Sequence, residues 1–297
     1  MVNPAFKPWL WLPPQWAHDL SPFFLKLYGS LHSPQTLTWK SFTWRNLQFS
    51  NPLGIAGGLD KNANQIQDWW TLGPGFVEVG TITPQPQRSN PGRIMARNCK
   101  EMAIWNKMGF PSRGTDYVLC KLKNLQQPHF TPIFVNIGKN RDTTNEEAIR
   151  DYQFCMQKLS THADAFVINI SSPNTPNLRS LLQPQYLEPF LAALNEANSQ
   201  RKPMLLKLSP DLNRTELTKI LDLSCKQGID GWILTNTTTK RNTSTEFPEN
   251  GGLSGQPLAA QAKSFLRWTI ESLGERRQGK LIVSCGGALS AQDVFER

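Results

Sequence analysis

Seven short apolar runs, separated by longer stretches with helical patterning, constrain this sequence more than any other feature. They occupy residues 52–56, 76–80, 133–137, 165–170, 204–208, 231–235 and 281–285. Each has the length of a strand and is too short for a buried helix. Between several of them lie amphipathic segments at 145–159, 188–200, 214–227 and 259–272, whose apolar residues recur at helical spacing. Strands that alternate with helices must run parallel, with the helices as crossovers. The expected fold is therefore α/β, a (β/α)8 TIM barrel lacking its eighth β/α unit. A doubly wound open sheet is the alternative, but no Gly-x-Gly-x-x-Gly follows the first run. After Gly286 and Gly287 the sequence continues only through residues 288–297, which read as the start of a helix.

The first 45 residues have a different character. They hold ten aromatic side chains against a single acid, Asp19. Within them, 14–28 reads as a helical stretch interrupted near Pro22. Trp and Tyr favour the membrane interface and Lys can snorkel beside them, so this segment is a candidate for lying on a bilayer. The same aromatics could instead cap the core of the main domain. The expected organisation is a small helical N-terminal segment over 1–45 and an incomplete barrel over 46–297.

Composition narrows the class further. With 39% hydrophobic and 19% charged residues, the 297-residue chain has the makings of a sizeable folded core. Its apolar runs fall far short of the roughly 20 residues needed to cross a bilayer, and no cleavable leader pattern opens the sequence. The five cysteines are scattered without a Cys-x-x-Cys pair, which suggests reduced thiols. The four histidines show no metal-ligand spacing, so no metal is expected. A formal charge of +9 suits anionic lipid or anionic small molecules. No Lys/Arg block or RNA-binding signature accompanies it, and nucleic acid is not an expected partner.

In a barrel the carboxyl ends of the strands converge on one face, and here those ends are polar. The first run ends in Ala56, Gly57, Gly58 and, beyond, Lys61; the second in Gly80 and Thr81. The third contributes Asn136, the fourth Asn169 to Asn174, the fifth Lys207, the sixth Thr235, Asn236 and Thr237, and the seventh Gly286 and Gly287. Amides suit a ring that carries both N–H donors and carbonyl acceptors. Lysines suit a carboxylate or a ring that becomes anionic. Late glycines let backbone N–H groups approach a phosphate. The inventory lacks a carboxylate pair for glycoside chemistry. It points to a phosphorylated heterocyclic cofactor beside a small polar ring, and flavin mononucleotide (FMN) with a pyrimidine fits it well.

Six motifs, taken together and in order, resemble class 2 dihydroorotate dehydrogenase. They are Asn-Pro-Leu-Gly-Ile-Ala-Gly-Gly-Leu-Asp-Lys at 51–61, Asn-Lys-Met-Gly-Phe at 106–110, Asn-Ile-Gly-Lys-Asn at 136–140, Asn-Ile-Ser-Ser-Pro-Asn-Thr-Pro at 169–176, Thr-Asn-Thr-Thr at 235–238 and Gly-Gly-Leu-Ser-Gly at 251–255. The resemblance covers essentially the whole chain and implies an enzyme of pyrimidine (UMP) synthesis that oxidises (S)-dihydroorotate to orotate through FMN and passes the electrons to a membrane quinone. It implies a peripheral membrane protein on the cytoplasmic face of the inner or cell membrane. Carried over by position, Ser172 would be the base for the C5 proton, with Thr175 or a bound water as a relay. Class 1 enzymes have Cys where this chain has Ser172. Lys61, Asn106, Met108, Gly109, Phe110, Asn169, Asn174, Asn236 and Thr237 would hold the substrate. Ala56, Gly57, Gly58, Thr81, Asn136, Asn169, Lys207 and Thr235 would line the flavin, with Gly255, Gly286 and Gly287 at its phosphate. His18 and Arg97 would face a quinone tunnel.

The sequence departs from the family pattern in three places. Pro111 stands where Asn is usual, and Asn177 replaces a Gly, a mild change because Asn tolerates a left-handed backbone. The family's eighth strand, with a Tyr-Ser/Thr-Gly turn that completes the phosphate site, has no counterpart among the 297 residues. A truncated, catalytically inactive flavin-binding remnant is therefore the second reading, and a soluble class 1-like enzyme using fumarate or NAD the third.

Overall fold

A computed structural model describes residues 7–125, 129, 131–244 and 246–297, and in it all seven apolar runs become strands of one curled sheet. The chain begins with a helix, α1 (Pro14–Leu31), and a hairpin of β1 (Phe42–Trp44) and β2 (Leu47–Phe49). Strand β3 (Gly54–Asp60), the short helix α2 (Ile66–Trp70) and β4 (Phe76–Ile82) follow. An antiparallel pair, β5 (Met95–Asn98) and β6 (Ala103–Asn106), precedes α3 (Thr115–Lys123), β7 (Ile133–Ile137), α4 (Ala148–Leu159) and β8 (Ala165–Asn169). The rest comprises α5 (Pro184–Ala197), β9 (Met204–Leu208), α6 (Arg214–Lys226), β10 (Gly231–Leu234), β11 (Gly252–Gly255), α7 (Gln256–Leu273), β12 (Leu281–Ser284) and α8 (Ala291–Glu296).

The large sheet has the order β3-β4-β7-β8-β9-β10-β12, parallel throughout. Its strands follow one another in chain order, as in a barrel wound in a single direction. A doubly wound sheet would reverse at a switch point. Strands β3 and β12 form its two edges among the described residues.

Side chains alternate between the two faces of each strand. On the outer face Val79, Val135, Ile137, Phe166, Ile168, Leu206 and Trp232 pack against Tyr152, Leu187, Leu191, Leu217 and Phe265 from the helices. On the inner face Phe76, Phe134, Val167, Leu205 and Ile233 pack against Trp44, Leu47 and Phe49 of the β1–β2 hairpin, with Val283 partly buried beside them. The hairpin thus plugs one end of the half-barrel with apolar surface. Two residues further along the same inner face come Glu78, Asn136, Asn169, Lys207, Thr235 and Cys285. The period of two lifts these six into a second layer, which is polar.

Helix α1 runs unbroken through Pro22, contrary to the interruption expected from the sequence. Proline removes the N–H that would bond the carbonyl four residues back. The Ser21 hydroxyl donates to that carbonyl, on His18, at 2.8 Å, so the acceptor is satisfied and the helix continues. The small sheet of β5, β6 and β11 was not legible as strands. It closes over its own core of Ala96, Ala103, Trp105, Phe247 and Leu253.

Candidate active site

The polar layer forms the floor of a cavity of about 630 Å³ at the carboxyl ends of the strands. Asn136, Asn169, Lys207 and Thr235 line this floor, beside the bare backbone of Gly57 and Gly58. Beneath it lies Glu78, whose carboxylate accepts from Lys207 Nζ at 2.8 Å and from Asn136 Nδ2 at 2.5 Å. A Cβ on Gly57 would stand 2.3 Å from Glu78 Oε1, so this position has no room for a side chain. The Glu78 and Lys207 side chains are only 2% and 7% exposed, so the pair is shielded from solvent. Burial works against the Lys207 ammonium. Its interactions with Glu78 and Cys285 outweigh that penalty and leave its pKa above the usual lysine value.

The amides of the floor and walls form a connected network. Asn169 Nδ2 donates to Thr81 Oγ1 at 2.9 Å and to Asn136 Oδ1 at 3.2 Å. Asn236 Nδ2 donates to Asn169 Oδ1 at 3.2 Å and to Ser171 Oγ at 3.1 Å. Across the cavity, Asn174 Nδ2 donates to Asn106 Oδ1 at 3.0 Å. Fixing amide orientations in this way prepares the wall to read a polar ring without reorganising. Asn174 Oδ1 and Thr175 Oγ1 are buried and have no partner in the protein. Buried polar atoms are rarely left so, and an acceptor in the cavity wall suits an N–H donor on a ligand.

The loop after β8 places Ser172 in the wall, where its Oγ accepts the Asn174 N–H at 3.1 Å. Asn177 takes up the left-handed conformation, φ 53°, that its replacement of glycine requires. Ser172 also borders a second, shallower recess together with Thr175 and Arg179.

Lys61 enters from the end of β3, donating to Gly58 O at 2.9 Å and lying 2.8 Å from His18 Nε2 on α1. Burial lowers the Lys61 pKa to about 8, although Asp60 and Asp19 oppose the shift. Burial and the Lys61 charge push His18 down to about 4. At neutral pH, then, His18 is neutral and Lys61 carries the charge. Ala17, His18 and Ser21 of α1 overhang the cavity mouth with Arg97 of β5. Arg97 Nη2 donates to the carbonyls of Leu10 and Leu12, at 2.8 and 2.9 Å, and so ties the N-terminal segment to the barrel.

The sequence profile described as dihydroorotate dehydrogenase matches residues 41–297. The chain belongs to the dihydroorotate dehydrogenase family. Its relatives place it in class 2. It is 42% identical to the dihydroorotate dehydrogenase (quinone) of Thermus thermophilus, across 84% of this chain and 72% of that one. It is 38% identical to the dihydroorotate dehydrogenase (quinone) of Aeromonas hydrophila, across 100% of this chain and 91% of that one. Among solved structures, the Eimeria tenella dihydroorotate dehydrogenase in complex with ferulenol superposes with a TM-score of 0.84 at 33% identity, covering 96% of this chain and 82% of that one.

Most residues singled out by the family motifs meet at this one cavity. Lys61, Asn106, Met108, Gly109, Phe110, Asn169, Ser172, Asn174, Asn236 and Thr237 line it, as do Gly57, Gly58, Thr81, Asn136, Lys207, Thr235, Gly286, His18 and Arg97. Ala56, Thr175, Gly255 and Gly287 lie outside its lining. Gly287 packs against the first turn of α7, where a Cβ would stand 2.5 Å from Ala259 Cα. Sequence reasoning missed Glu78. The signal was a lone carboxylate inside a buried apolar run, which a protein retains only when a partner compensates it.

Proposed function

We propose that this chain oxidises (S)-dihydroorotate to orotate in pyrimidine biosynthesis, with FMN as hydride acceptor and a membrane quinone as final electron acceptor. The convergence of amides, two lysines and the Ser172 hydroxyl around a single cavity supports this reading above all. The residues fit FMN: the Gly57–Gly58 backbone leaves room for a flat ring over Asn136, Asn169 and Lys207. At the N-terminus of α7, beside Gly286 and Gly287, the Gln256 N–H is taken by Met102 O and Pro257 has none, so the Leu258 and Ala259 N–H groups are the ones that would meet a phosphate. Bound FMN would supply the two-electron acceptor for the hydride that leaves the substrate's C6.

The chain's own residues do the rest. Asn106, Asn174, Asn236 and Thr237 orient the dihydroorotate ring, and Lys61 meets its carboxylate. Ser172 Oγ takes the C5 proton. A serine hydroxyl is a weak base, so its own proton must leave, and the Thr175 hydroxyl, which borders the outer recess, is assigned to pass it on. Lys207 stays protonated in its pair with Glu78, and its charge would stabilise negative charge on a flavin held at this floor.

Residues 1–45 are assigned as the quinone-access segment and 46–297 as the FMN-binding barrel. Among the described residues no helix is long and apolar enough to cross a membrane. Instead α1 exposes Trp16, Phe23, Phe24 and Leu31, at 63%, 63%, 56% and 72%, which suits peripheral binding at the cytoplasmic face. His18 and Arg97 would then border the path of the quinone from the bilayer to the ring.

Purification tests the reading. A yellow protein that dihydroorotate bleaches and a quinone recolours is the expected result. A colourless protein, or a yellow one that dihydroorotate leaves unchanged, would overturn it and favour the inactive remnant.

A further inference from the structure

Arg179 and Asp211 lie behind the cavity wall and line no part of it, yet between them they hold the two loops that carry the wall's chemistry. Arg179 Nε donates to Ser171 O at 2.9 Å, immediately before Ser172. Its Nη2 donates to Thr237 O at 3.1 Å, immediately after Asn236. Its Nη1 donates to Asp211 Oδ2 at 2.8 Å, on the loop after β9. Asp211 in turn accepts from the Thr238 hydroxyl, from Thr239 N at 2.8 Å, from Thr239 Oγ1 at 3.0 Å and from Gln261 Nε2 of α7 at 3.4 Å. One planar fork therefore spans three strand-end loops, and one carboxylate locks the fork in place.

We propose that Arg179 and Asp211 are positioning residues that fix the separation between the Ser172 loop and the Asn236–Thr237 loop, so that base and ring-holding amides address the same substrate. The inference rests on the proposed role of Ser172. A guanidinium is suited to the task because its donors keep a rigid planar geometry that a lysine cannot reproduce. The side chains are 25% and 15% exposed, so water competes only in part for these bonds. Burial acts to raise the Asp211 pKa, but the bonds from Thr238, Thr239 and Arg179 outweigh it and hold the carboxyl below its usual range, so it stays ionised at neutral pH. A second link, Asn236 Nδ2 to Ser171 Oγ at 3.1 Å, also joins the loops. Loss of the fork should therefore shift the loops relative to each other without detaching them. A misplacement of about 1 Å can cost roughly 100-fold in rate.

Rapid mixing of the flavin-loaded enzyme separates this role from general loosening. In Arg179→Lys, bleaching by saturating dihydroorotate should slow by roughly 10- to 100-fold, while flavin content and recolouring by a soluble quinone stay at parental levels. Asp211→Asn is nearly isosteric and guards against a folding defect; it should slow bleaching selectively in the same way. Parental bleaching in both variants, or equal slowing of bleaching and recolouring, would overturn the proposal. Ser172→Ala run alongside tells the two assignments apart. If it bleaches at the parental rate, the assignment of the base is wrong. If it is slow while both other variants are fast, only the positioning role fails.

Discussion

In its proposed role Lys61 is held between two demands: it must carry a charge to meet the substrate's carboxylate, and it must lose water to line the cavity. Burial wins enough ground to bring its pKa to about 8. The ammonium is thus the main form at neutral pH and is lost as pH rises through that value. The kcat/KM for dihydroorotate should fall about tenfold per pH unit above about 8, because the neutral amine no longer pairs with the carboxylate. Lys61→Met should abolish this alkaline limb and lower the neutral plateau by roughly 10- to 100-fold, the worth of one hydrogen bond between charged groups. A profile for the parent enzyme that stays flat to about pH 9.5 would count against both the shift and the contact. At this scale the sequence was most readable where a polar residue ended an apolar run. Ser172, Asn169 and Lys207 announce themselves in that way. Arg179 and Asp211 do not, because their partnership joins loops 32 residues apart and becomes visible only once β8 and β9 lie side by side.

Helix α1 has two distinct faces. Pro14, Ala17, His18 and Ser21 fall at helical spacing on the face over the cavity. Trp16, Leu20, Phe23, Phe24, Leu27 and Leu31 fall on exposed surface. Composition alone left open whether these aromatics cap the barrel core or meet a bilayer. The fold removes the first option for the exposed set, since no residue of α1 is buried. Replacing Trp16, Phe23 and Phe24 together by Ser should weaken co-sedimentation with anionic lipid vesicles by at least roughly 100-fold, given about 1.5–3 kcal/mol for each large apolar side chain buried. Turnover with a short-chain soluble quinone should persist, because none of the three lines the cavity. Variants that sediment like the parent would refute membrane docking through this face. Five of the seven main strands were legible to within a residue, whereas β3 lies at 54–60 against an expected 52–56 and β4 extends two residues past the expected 76–80, because glycine and polar residues continue both strands beyond their apolar runs. The strands of the small sheet were hidden. Strand β6, with Ala103 and Trp105 buried and Ile104 exposed, is too short for alternation to stand out.

At the scale of the whole molecule, the half-barrel separates stability from chemistry by layer. The lower layer is apolar and sealed by the hairpin; the upper layer is polar and opens into the cavity. Phe49 is central to the seal, 2% exposed, stacked on Phe42 with ring centroids 4.5 Å apart and edge-on to Phe76 and Phe134. Phe49→Ala should cost about 3–5 kcal/mol of unfolding free energy, the usual penalty for emptying a core aromatic site. Denaturant titration measures that loss directly. The KM for dihydroorotate in the molecules that remain folded should not change, because the ring sits below the polar layer and touches none of its side chains through these contacts. The opposite combination is expected of Arg179→Lys, in which stability is nearly kept and the reductive step slows. If Phe49→Ala shifted KM as strongly as it shifted stability, the two layers would be one cooperative unit, and the polar floor could no longer be treated as resting on an independent apolar base.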